Sequence, residues 1–438
     1  MSSENSIKKW YSENFKEFHK LNNDGAFDDL RKNAFEGFND SKFPTKKDEE
    51  WKYTNVYNIF NEQFIPSPLK QRENNIENIS EYLIPGLDVH LIVLVDGIFN
   101  DELSKIGNLQ NGVIIDSFYN QSKVNKEFLL QYISKKETVE NSFDYLNKTF
   151  TYDGFVIYLP KNQIAEKPIH ILNISTDGKE KNLIQPRNLI VAEENSQAKI
   201  ITEYISTSEL EYFTNIITEI YIDENANVSF YKLQSESKKA YHIDKTEIIQ
   251  KEQSVFNHFS LSFGSRIARN DINTKLDGEN IELHLYGLYL GNEEQHIDHH
   301  TFIDHAHPNC ESNELYKGIL DDKATGVFSG KIYVNKIAQK TNAFQSNKSI
   351  LLSDEATINA KPQLEIYADD VKCSHGATVG KLDEKAYYYI RSRGVPAESA
   401  RSMLIRAFVD DVISQCNIQS LREKINHTIF ENLHREEF

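Results

Sequence analysis

The stretch EENSQAKIITEYI at residues 193–205 decides the fold. A short polar turn leads into the small residue Ala198 and then into a segment in which apolar and polar side chains alternate. The stretch DENANVSFYKL at residues 223–233 repeats this order of turn, small residue and strand. Alternation among β-branched and aromatic residues is typical of β-strands. The two stretches therefore predict successive strands with no helix between them.

The same pattern recurs along the middle of the chain, where related turns begin at residues 193, 223, 251, 277, 321 and 354. A loose repeat of this size is expected for stacked coils of strand. Strands without intervening helices fit a β-helix or solenoid better than a doubly wound sheet. A two-sheet sandwich stays open, because periodicity alone does not distinguish it from a solenoid. The strand candidates are Phe155–Tyr158, His170–Ile174, Leu189–Ala192, Ala198–Ile205, Thr214–Ile222, Val228–Leu233, Glu282–Tyr289 and Ile332–Asn335.

Three regions follow from these patterns. Residues 1–150 begin with apolar side chains at helical spacing and continue as a mixture of short strands and helices. Residues 151–380 form the strand-rich core. Residues 381–438 return to a helical pattern.

The C-terminal region carries clear helix signals. Asp383 is a plausible N-cap, Gly394 stands where a left-handed terminator belongs, and Pro396 suits the first turn of the next helix. That next helix places Ala400, Leu404, Phe408 and Val412 at intervals of one helical turn, with further apolar residues on the flank. We expect this broad apolar band to be buried against the strands or against another protein.

Composition and charge disfavour several classes of function. Hydrophobic residues make up 39% of the 438, enough for a sizeable core, and the formal net charge of -17 disfavours binding to nucleic acid or to anionic membranes. Three widely spaced cysteines, Cys310, Cys373 and Cys416, do not form a disulfide framework, which indicates a reducing compartment. The polar N-terminus and the lack of a long apolar stretch predict a cytoplasmic protein.

Two stretches could carry metal chemistry. HIDHHTFIDHAH at residues 296–307 contains five histidines and two aspartates, yet strand alternation would divide them between two faces, so a hydrogen-bonded ladder is the competing interpretation. In VKCSHGATVG at residues 371–380, Cys373 and His375 would point the same way on a strand. They could bind a soft metal or sulfide, with a nearby imidazolium lowering the pKa of the thiol, or simply pack in a closing turn.

The stretch GVFSGK at residues 326–331 has the look of a phosphate-binding loop but has three residues between its glycines where a P-loop has four. Ile332 stands where Ser or Thr should bind magnesium. No ATPase site is predicted in this chain.

Several stretches resemble the SufB/SufD family of iron–sulfur cluster assembly proteins, in detail from about residue 296 to 412. The stretches that carry the resemblance are Arg31…Gly37, Lys47…Thr54, Ser312–Leu320, Gly326–Lys331, Ala338–Asn347, Leu351–Ser353, Lys361–Gly380 and Tyr389–Gly394. Within the family, Gly376 after His375 and the length of 438 residues are similar to the SufD branch.

The resemblance implies a right-handed parallel β-helix flanked by helical N- and C-terminal regions. It also implies a scaffold subunit, not an enzyme, that pairs with a SufB-like paralogue and binds a SufC-like ATPase, which supplies the ATPase activity. Cys373 and His375 match the positions at the interface where the nascent cluster is assembled, and they are the candidate metal ligands. The segment implied to dock the ATPase contains Arg393, Gly394, Ala400, Leu404, Phe408 and Val412.

No cofactor is expected to bind stably to this chain alone. The resemblance implies transient iron, sulfide or a nascent iron–sulfur cluster in the complex, and it leaves room there for a flavin. Three alternatives stand beside it: a secreted-type β-helix carbohydrate-active enzyme, a purely structural partner subunit in which Cys373 and His375 only pack, and a homodimer of the isolated chain.

Overall fold

In a computed structural model, the chain winds into a parallel β-solenoid with helices at both ends. The structure describes residues 3–22, 27–69, 76, 78–110, 112–133, 140–178, 180–208 and 210–434. The predicted fold class, a mainly β chain with a parallel β-helix core between helical flanks, is confirmed. The sandwich alternative is wrong, because the strands of each sheet pair in parallel with the coil before and the coil after.

The α-helices lie in the two flanking regions and are α1 (Ser3–Leu21), α2 (Asp28–Asp40), α3 (Phe118–Val124), α4 (Lys126–Tyr132), α5 (Ser142–Thr149), α6 (Glu384–Ser392), α7 (Ala397–Ile413) and α8 (Gln419–His434). Short 3-10 helices span Glu49–Trp51, Ile59–Asn61, Ser67–Leu69 and Ser80–Tyr82.

The first strands are β1 (Ile65–Pro66), β2 (His90–Val95), β3 (Ile98–Phe99), β4 (Ile114–Ser117), β5 (Phe155–Leu159), β6 (Ile169–Ser175), β7 (Asn182–Ile184), β8 (Arg187–Ala192), β9 (Gln197–Ser206), β10 (Phe213–Ile222) and β11 (Asn227–Ser235). The remaining strands are β12 (Tyr241–Gln250), β13 (Val255–Ser262), β14 (Ile267–Leu276), β15 (Glu282–Gly291), β16 (His296–His305), β17 (Glu311–Leu320), β18 (Thr325–Val334), β19 (Asn342–Leu351), β20 (Thr357–Ile366) and β21 (Lys372–Gly380).

Successive strands alternate between two sheets. Sheet A runs in the order β4-β5-β8-β10-β12-β14-β16-β18-β20, with β7 and β1 beside β10, and sheet B runs in the order β3-β2-β6-β9-β11-β13-β15-β17-β19-β21. Each coil therefore contributes one strand to each sheet. The short strands β3 and β4 close the first end of the sheets by antiparallel pairing.

The strands pair in register, so that equivalent residues of successive coils form columns. One inward column of sheet A contains Ile190, Ile220, Ile248, Thr274, Ile303 and Ile332. These apolar side chains belong to one continuous core between the sheets, apart from Thr274, which is also buried. A coil buries its inward residues only against its neighbours, which explains why the repeat needs β-branched strands.

The polar turns owe their composition to backbone geometry. Asn195, Asn225 and Asn280 have φ of 59°, 56° and 57°, in the left-handed region. Asparagine tolerates this region better than most residues, because its short polar side chain can hydrogen-bond locally. Gln253 (φ 58°) and Asp322 (φ 49°) occupy related turns. The repeated turns detected in the sequence are therefore the corners at which the coil reverses.

The two helical flanks cover the outer faces of the solenoid. Aromatic residues of the N-terminal region, including Phe18, Phe38 and Trp51, share a core with Phe213 and Tyr241 of sheet A. The C-terminal helices α7 and α8 pack against outward residues of sheet B in a separate core. No helix in the described part of the chain is long and apolar enough to cross a membrane.

Candidate functional site

The last coil leaves two sheet edges unpaired among the described strands. Strand β20 pairs with β18 and β21 pairs with β19, and neither has a partner on its other side. Most side chains of β21 are exposed, and those of β20 are mostly half-buried. An unpaired parallel edge exposes backbone N–H and C=O groups that another chain can bind. This coil, β20 and β21, is referred to below as the open end.

Cys373 and His375 both lie on β21, on the side that continues the interior of the solenoid. Cys373 is in register with Ala343 of β19, and His375 is in register with Gln345. Ala343 and Gln345 are both buried in the interior. The structure thus places the thiol and the imidazole side by side at the open end.

The two side chains differ in their surroundings. Cys373 is half-buried and packs against the interior core, and this burial raises the pKa of its thiol. The expectation that a nearby imidazolium would lower this pKa is wrong for the isolated chain, because His375 is exposed and burial dominates at Cys373. The thiol therefore stays protonated near neutral pH until a metal ion or a partner's cation displaces the proton.

Within the described residues, no group of three or more His, Cys, Asp or Glu side chains is arranged to hold a metal ion. Cys373 and His375 supply two ligands, whereas clusters and structural zinc sites usually need four. The open end can therefore act as half of a site that a second chain completes.

The sequence analysis missed a polar column that leads from the interior to His375. Glu314, Gln345 and His375 occupy the same register position on β17, β19 and β21. Gln345 Nε2 donates a hydrogen bond of 2.6 Å to Glu314 Oε2. Burial raises the pKa of Glu314 to about 7. Side chains alternate between the two faces of a strand, so Glu314 lies on the same face as Tyr316, two residues further on. This alternation could have indicated from the sequence that Glu314 faces the interior.

The outward face of the histidine-rich strand β16 forms a hydrogen-bonded ladder. Asp298 accepts hydrogen bonds from the Thr54 hydroxyl and from Arg269 Nη1, the latter at 3.1 Å, and His300 Nε2 lies 3.1 Å from its other oxygen. Burial opposes ionisation of Asp298, but His300 and Arg269 overcome it and lower the pKa of the carboxyl. One carboxylate oxygen thus accepts two hydrogen bonds, and the other lies beside the His300 imidazole. These surroundings favour the ladder over the metal interpretation.

The inward face of β16 carries His299 and His305. Both are fully buried, and burial lowers the pKa of each imidazole to about 3, so both are neutral near pH 7. His305 Nε2 lies 2.9 Å from Ser312 Oγ. His307 follows the strand, in the turn. The predicted division of the histidines between two faces is confirmed.

The glycines of residues 326–331 lie in strand β18, not in a loop. A Cβ on Gly326 would come within 2.8 Å of Leu320, and a Cβ on Gly330 within 2.3 Å of Gln345 Nε2. Packing inside the solenoid thus explains both glycines. The prediction that this stretch is not a phosphate-binding loop agrees with its extended backbone.

The C-terminal helices show which surface is left for a partner. The side chain of Asp383 caps α6 as predicted, and Gly394 has a positive φ of 90°. Pro396 is the N-cap of α7, one position before the first turn in which it was expected. Arg393 ends α6 as its C-cap and is exposed.

The apolar band of α7 is buried mainly within the chain. Ala400 and Val412 are fully buried, and Leu404 and Phe408 are half-buried. Lys317 of β17 holds the helix by donating to the carbonyl of Phe408. The exposed apolar side chains of α6 and α7 are Tyr388 (66%), Tyr389 (61%) and Met403 (53%).

Comparison with known proteins identifies the family. The model of the SufBD core domain of the SUF iron–sulfur cluster assembly system matches residues 173–408, and the model of the SufBD protein N-terminal region matches residues 1–171. The chain is 33% identical over 396 residues to an iron–sulfur cluster assembly SufBD family protein of Synechocystis, covering 89% of this chain and 87% of the relative. It is 30% identical to SufD of Escherichia coli, covering 87% of each chain, and 27% identical to SufD of Bacillus subtilis, covering 96% of each. None of these relatives favours the carbohydrate-active alternative.

Proposed function

Since the chain belongs to the SufBD family of iron–sulfur cluster assembly proteins and is SufD-like, we propose that it is a non-catalytic scaffold subunit that pairs with a SufB-like paralogue and binds a SufC-like ATPase. The observation that carries this proposal is the open end, where two free sheet edges meet beside Cys373 and His375. A paralogous solenoid can add its own edges there. Its ligands would complete the site.

The chemistry of the half-site suits transient iron and sulfide. A thiolate and an imidazole are soft and borderline ligands that bind ferrous iron, and the thiolate can also attack a donor persulfide and take its outer sulfur as the donor's own thiolate leaves. The thiol of Cys373 and the imidazole of His375 provide only two ligands, which is too few to hold a cluster without a second chain. The nascent cluster is therefore cargo of the complex and not a resident group, and a flavin, if one takes part, belongs to the complex as well. Free thiols persist in a reducing compartment, and we therefore assign the protein to the cytoplasm.

Helices α6 and α7 are the proposed docking surface for the ATPase. Tyr388, Tyr389 and Met403 present an exposed apolar surface there, with Arg393 beside them. Aromatic, Met and Arg residues are enriched at protein interfaces. Ala400 and Val412 support this surface from beneath, because both side chains are buried, Val412 in the core that α7 shares with sheet B.

The same helices offer a mechanical link to the open end. Lys317 of β17 donates to the Phe408 carbonyl and forms an ion pair of 2.6 Å with Asp411 of α7. Strand β17 is separated from β21 by β19 alone. ATP-driven closure of the bound ATPase can therefore pull on α7 and change the seam at β21.

Co-expression of the chain with a SufB-like and a SufC-like protein, followed by affinity purification and native mass spectrometry, tests the assembly. The expected result is a complex that contains all three proteins and carries iron and sulfide. Tyr389→Ala with Met403→Ala should release the ATPase and leave the paralogue bound. A chain that forms only homodimers when both partners are present would contradict the proposal.

A further inference from the structure

A polar cavity of about 480 Å³ lies between the N-terminal region and the outer face of sheet A, and we call it the Lys46 pocket. Its floor crosses four neighbouring strands, from Ile267 of β14 to Asn359 of β20. The pocket is lined by Lys46, Lys52, Tyr53, Asn55, Asn58, Arg266, Ile267, Glu294, His296, Thr325, Thr357 and Asn359. It is separate from Cys373 and His375, which lie on sheet B.

The charge of the pocket is opposite to that of the whole chain. Lys46, Lys52 and Arg266 face a single carboxylate, Glu294, in a protein whose formal net charge is -17. Clustered cations in a concave site concentrate the field and attract anions. Ile267 is the one aliphatic side chain of the lining, whereas pockets for apolar ligands are mostly apolar. The lining therefore favours a small, polar anion.

Among the described residues, only Arg266 of the three pocket cations forms a salt bridge, and its partner Glu211 lies at a long 3.5 Å. In the described part of the chain, neither Lys46 nor Lys52 forms a salt bridge, although Lys52 lies over the Tyr53 ring at 5.5 Å. Arg266 makes long contacts of 3.5 Å to Glu211 and 3.4 Å to the Tyr241 hydroxyl. All three cations can therefore turn to a ligand with little loss of existing contacts.

His296 is held in the wall of the pocket in a defined way. The Thr54 hydroxyl donates to the Asp298 carboxylate, so Thr54 Oγ1 accepts from His296 Nε2 at 2.8 Å. Nδ1 is then the nitrogen that remains for a ligand. Burial lowers the pKa of His296, and Lys46 acts in the same direction. A bound anion would offset the positive charge of Lys46 and raise the pKa of the His296 imidazole. The imidazole could then take up a second proton, on Nδ1.

We propose that the Lys46 pocket binds a phosphate-bearing small molecule. Phosphate offers several acceptor oxygens and negative charge, which Lys ammonium and Arg guanidinium groups recognise. The amides of Asn55 and Asn58 and the hydroxyls of Thr325 and Thr357 supply further donors. The volume admits either a free phosphate or the phosphates of a nucleotide.

Isothermal titration of the full chain with orthophosphate, pyrophosphate and ADP, in about 0.1 M sodium chloride, tests the proposal. Saturable binding of at least one of them is expected. Lys46→Gln and Arg266→Gln should each weaken it about tenfold, because each removes a charge-assisted hydrogen bond. Equal affinity for pyrophosphate and ADP would identify the phosphates as the recognised group, and tighter binding of ADP would show that the nucleoside also contacts the pocket.

Two matched variants separate the pocket from general charge effects. Lys46→Arg keeps the cation and should keep the affinity. Lys161→Gln removes an exposed lysine that pairs with Glu194 in the turn after β5, towards the other end of the solenoid, and should leave binding unchanged. Absence of saturable binding of all three anions at about 10 mM, or an equal loss in Lys161→Gln, would overturn the proposal.

Discussion

The guanidinium carbon of Arg269 lies 3.7 Å from the centre of the Trp51 ring, and this stack joins the N-terminal region to the outer face of sheet A. Arg269 also donates to the Glu50 carbonyl at 2.6 Å and forms ion pairs with Asp271 and Asp298. A buried guanidinium needs this complete set of partners, because an unpaired buried charge is strongly destabilising. The stack therefore orders the segment around Trp51, which also forms one wall of the Lys46 pocket.

Trp51→Ala should destabilise the chain by about 3–5 kcal/mol, the usual cost of removing a large buried aromatic side chain. Trp51 is 5% exposed and also packs against Phe143. Urea unfolding monitored by circular dichroism gives the free energy of unfolding. Tyr389→Ala is the control, since Tyr389 is 61% exposed and its loss should change stability by no more than about 0.5 kcal/mol. Equal stability of the two variants would show that the stack contributes nothing.

Glycine positions inside and outside the solenoid should respond differently to the same substitution. A Cβ on Gly318 would lie 2.3 Å from the buried ring of Tyr289, whereas a Cβ on Gly376 meets no atom within 4 Å. Gly318→Ala should therefore cost about 1–3 kcal/mol through overpacking, and Gly376→Ala should be close to neutral. Thermal unfolding of both variants checks this contrast. A neutral Gly318→Ala would mean that the Tyr289 ring moves aside freely.

The fold could be predicted from the sequence because its determinants are local. Turns such as 193–197 need a residue that adopts a left-handed backbone conformation, and the strands between them need alternating side chains. Each coil can therefore be recognised within a stretch of about 30 residues. The choice between solenoid and sandwich depends on which strands pair, and the alternation of side chains within one strand does not show that it pairs with the strands of the preceding and following coils. In the sequence, only the resemblance to the SufB/SufD family favoured the solenoid over the sandwich.

The candidate site was predictable in part for the same reason. The spacing of Cys373 and His375 places them on one face of any strand, but their surroundings come from strands about 30 and 60 residues earlier. The raised pKa of the Cys373 thiol and the column through Gln345 to Glu314 are therefore invisible in a single segment. The Lys46 pocket combines a loop of the N-terminal region with four strands, so no local pattern marks it.

Glu314 should make stability depend on pH. Its pKa is about 7 in the folded chain and about 4.3 when unfolded, so between these values the folded chain holds a proton that the unfolded chain has released. The resulting stabilisation is complete below about pH 4.3 and is lost as the pH rises through 7, by roughly 4 kcal/mol in total. Between about pH 5 and pH 8, the wild type should thus lose more stability than Glu314→Gln does.

Urea midpoints of both chains at the two pH values provide the measurement. Glu314→Gln is a suitable variant because its amide oxygen can still accept the hydrogen bond that Gln345 Nε2 donates to the carboxylate. Other titrating groups cancel in the difference between the two chains. An identical loss in wild type and variant would place the Glu314 pKa near its ordinary value.

His375→Ala should leave folding and assembly intact but reduce the iron and acid-labile sulfide of the purified complex to roughly a tenth, as expected when a side chain that binds or orients a metal is lost. His375 is exposed on β21, so its removal creates no cavity. Ser374→Ala is the matched control, because Ser374 is its exposed neighbour on the opposite face of the strand. Cys373→Ser should also lower the cluster content, since the hydroxyl fills the same space but binds soft metals poorly. Normal cluster content in His375→Ala would remove the imidazole from the mechanism, and normal content in both variants would favour the purely structural role.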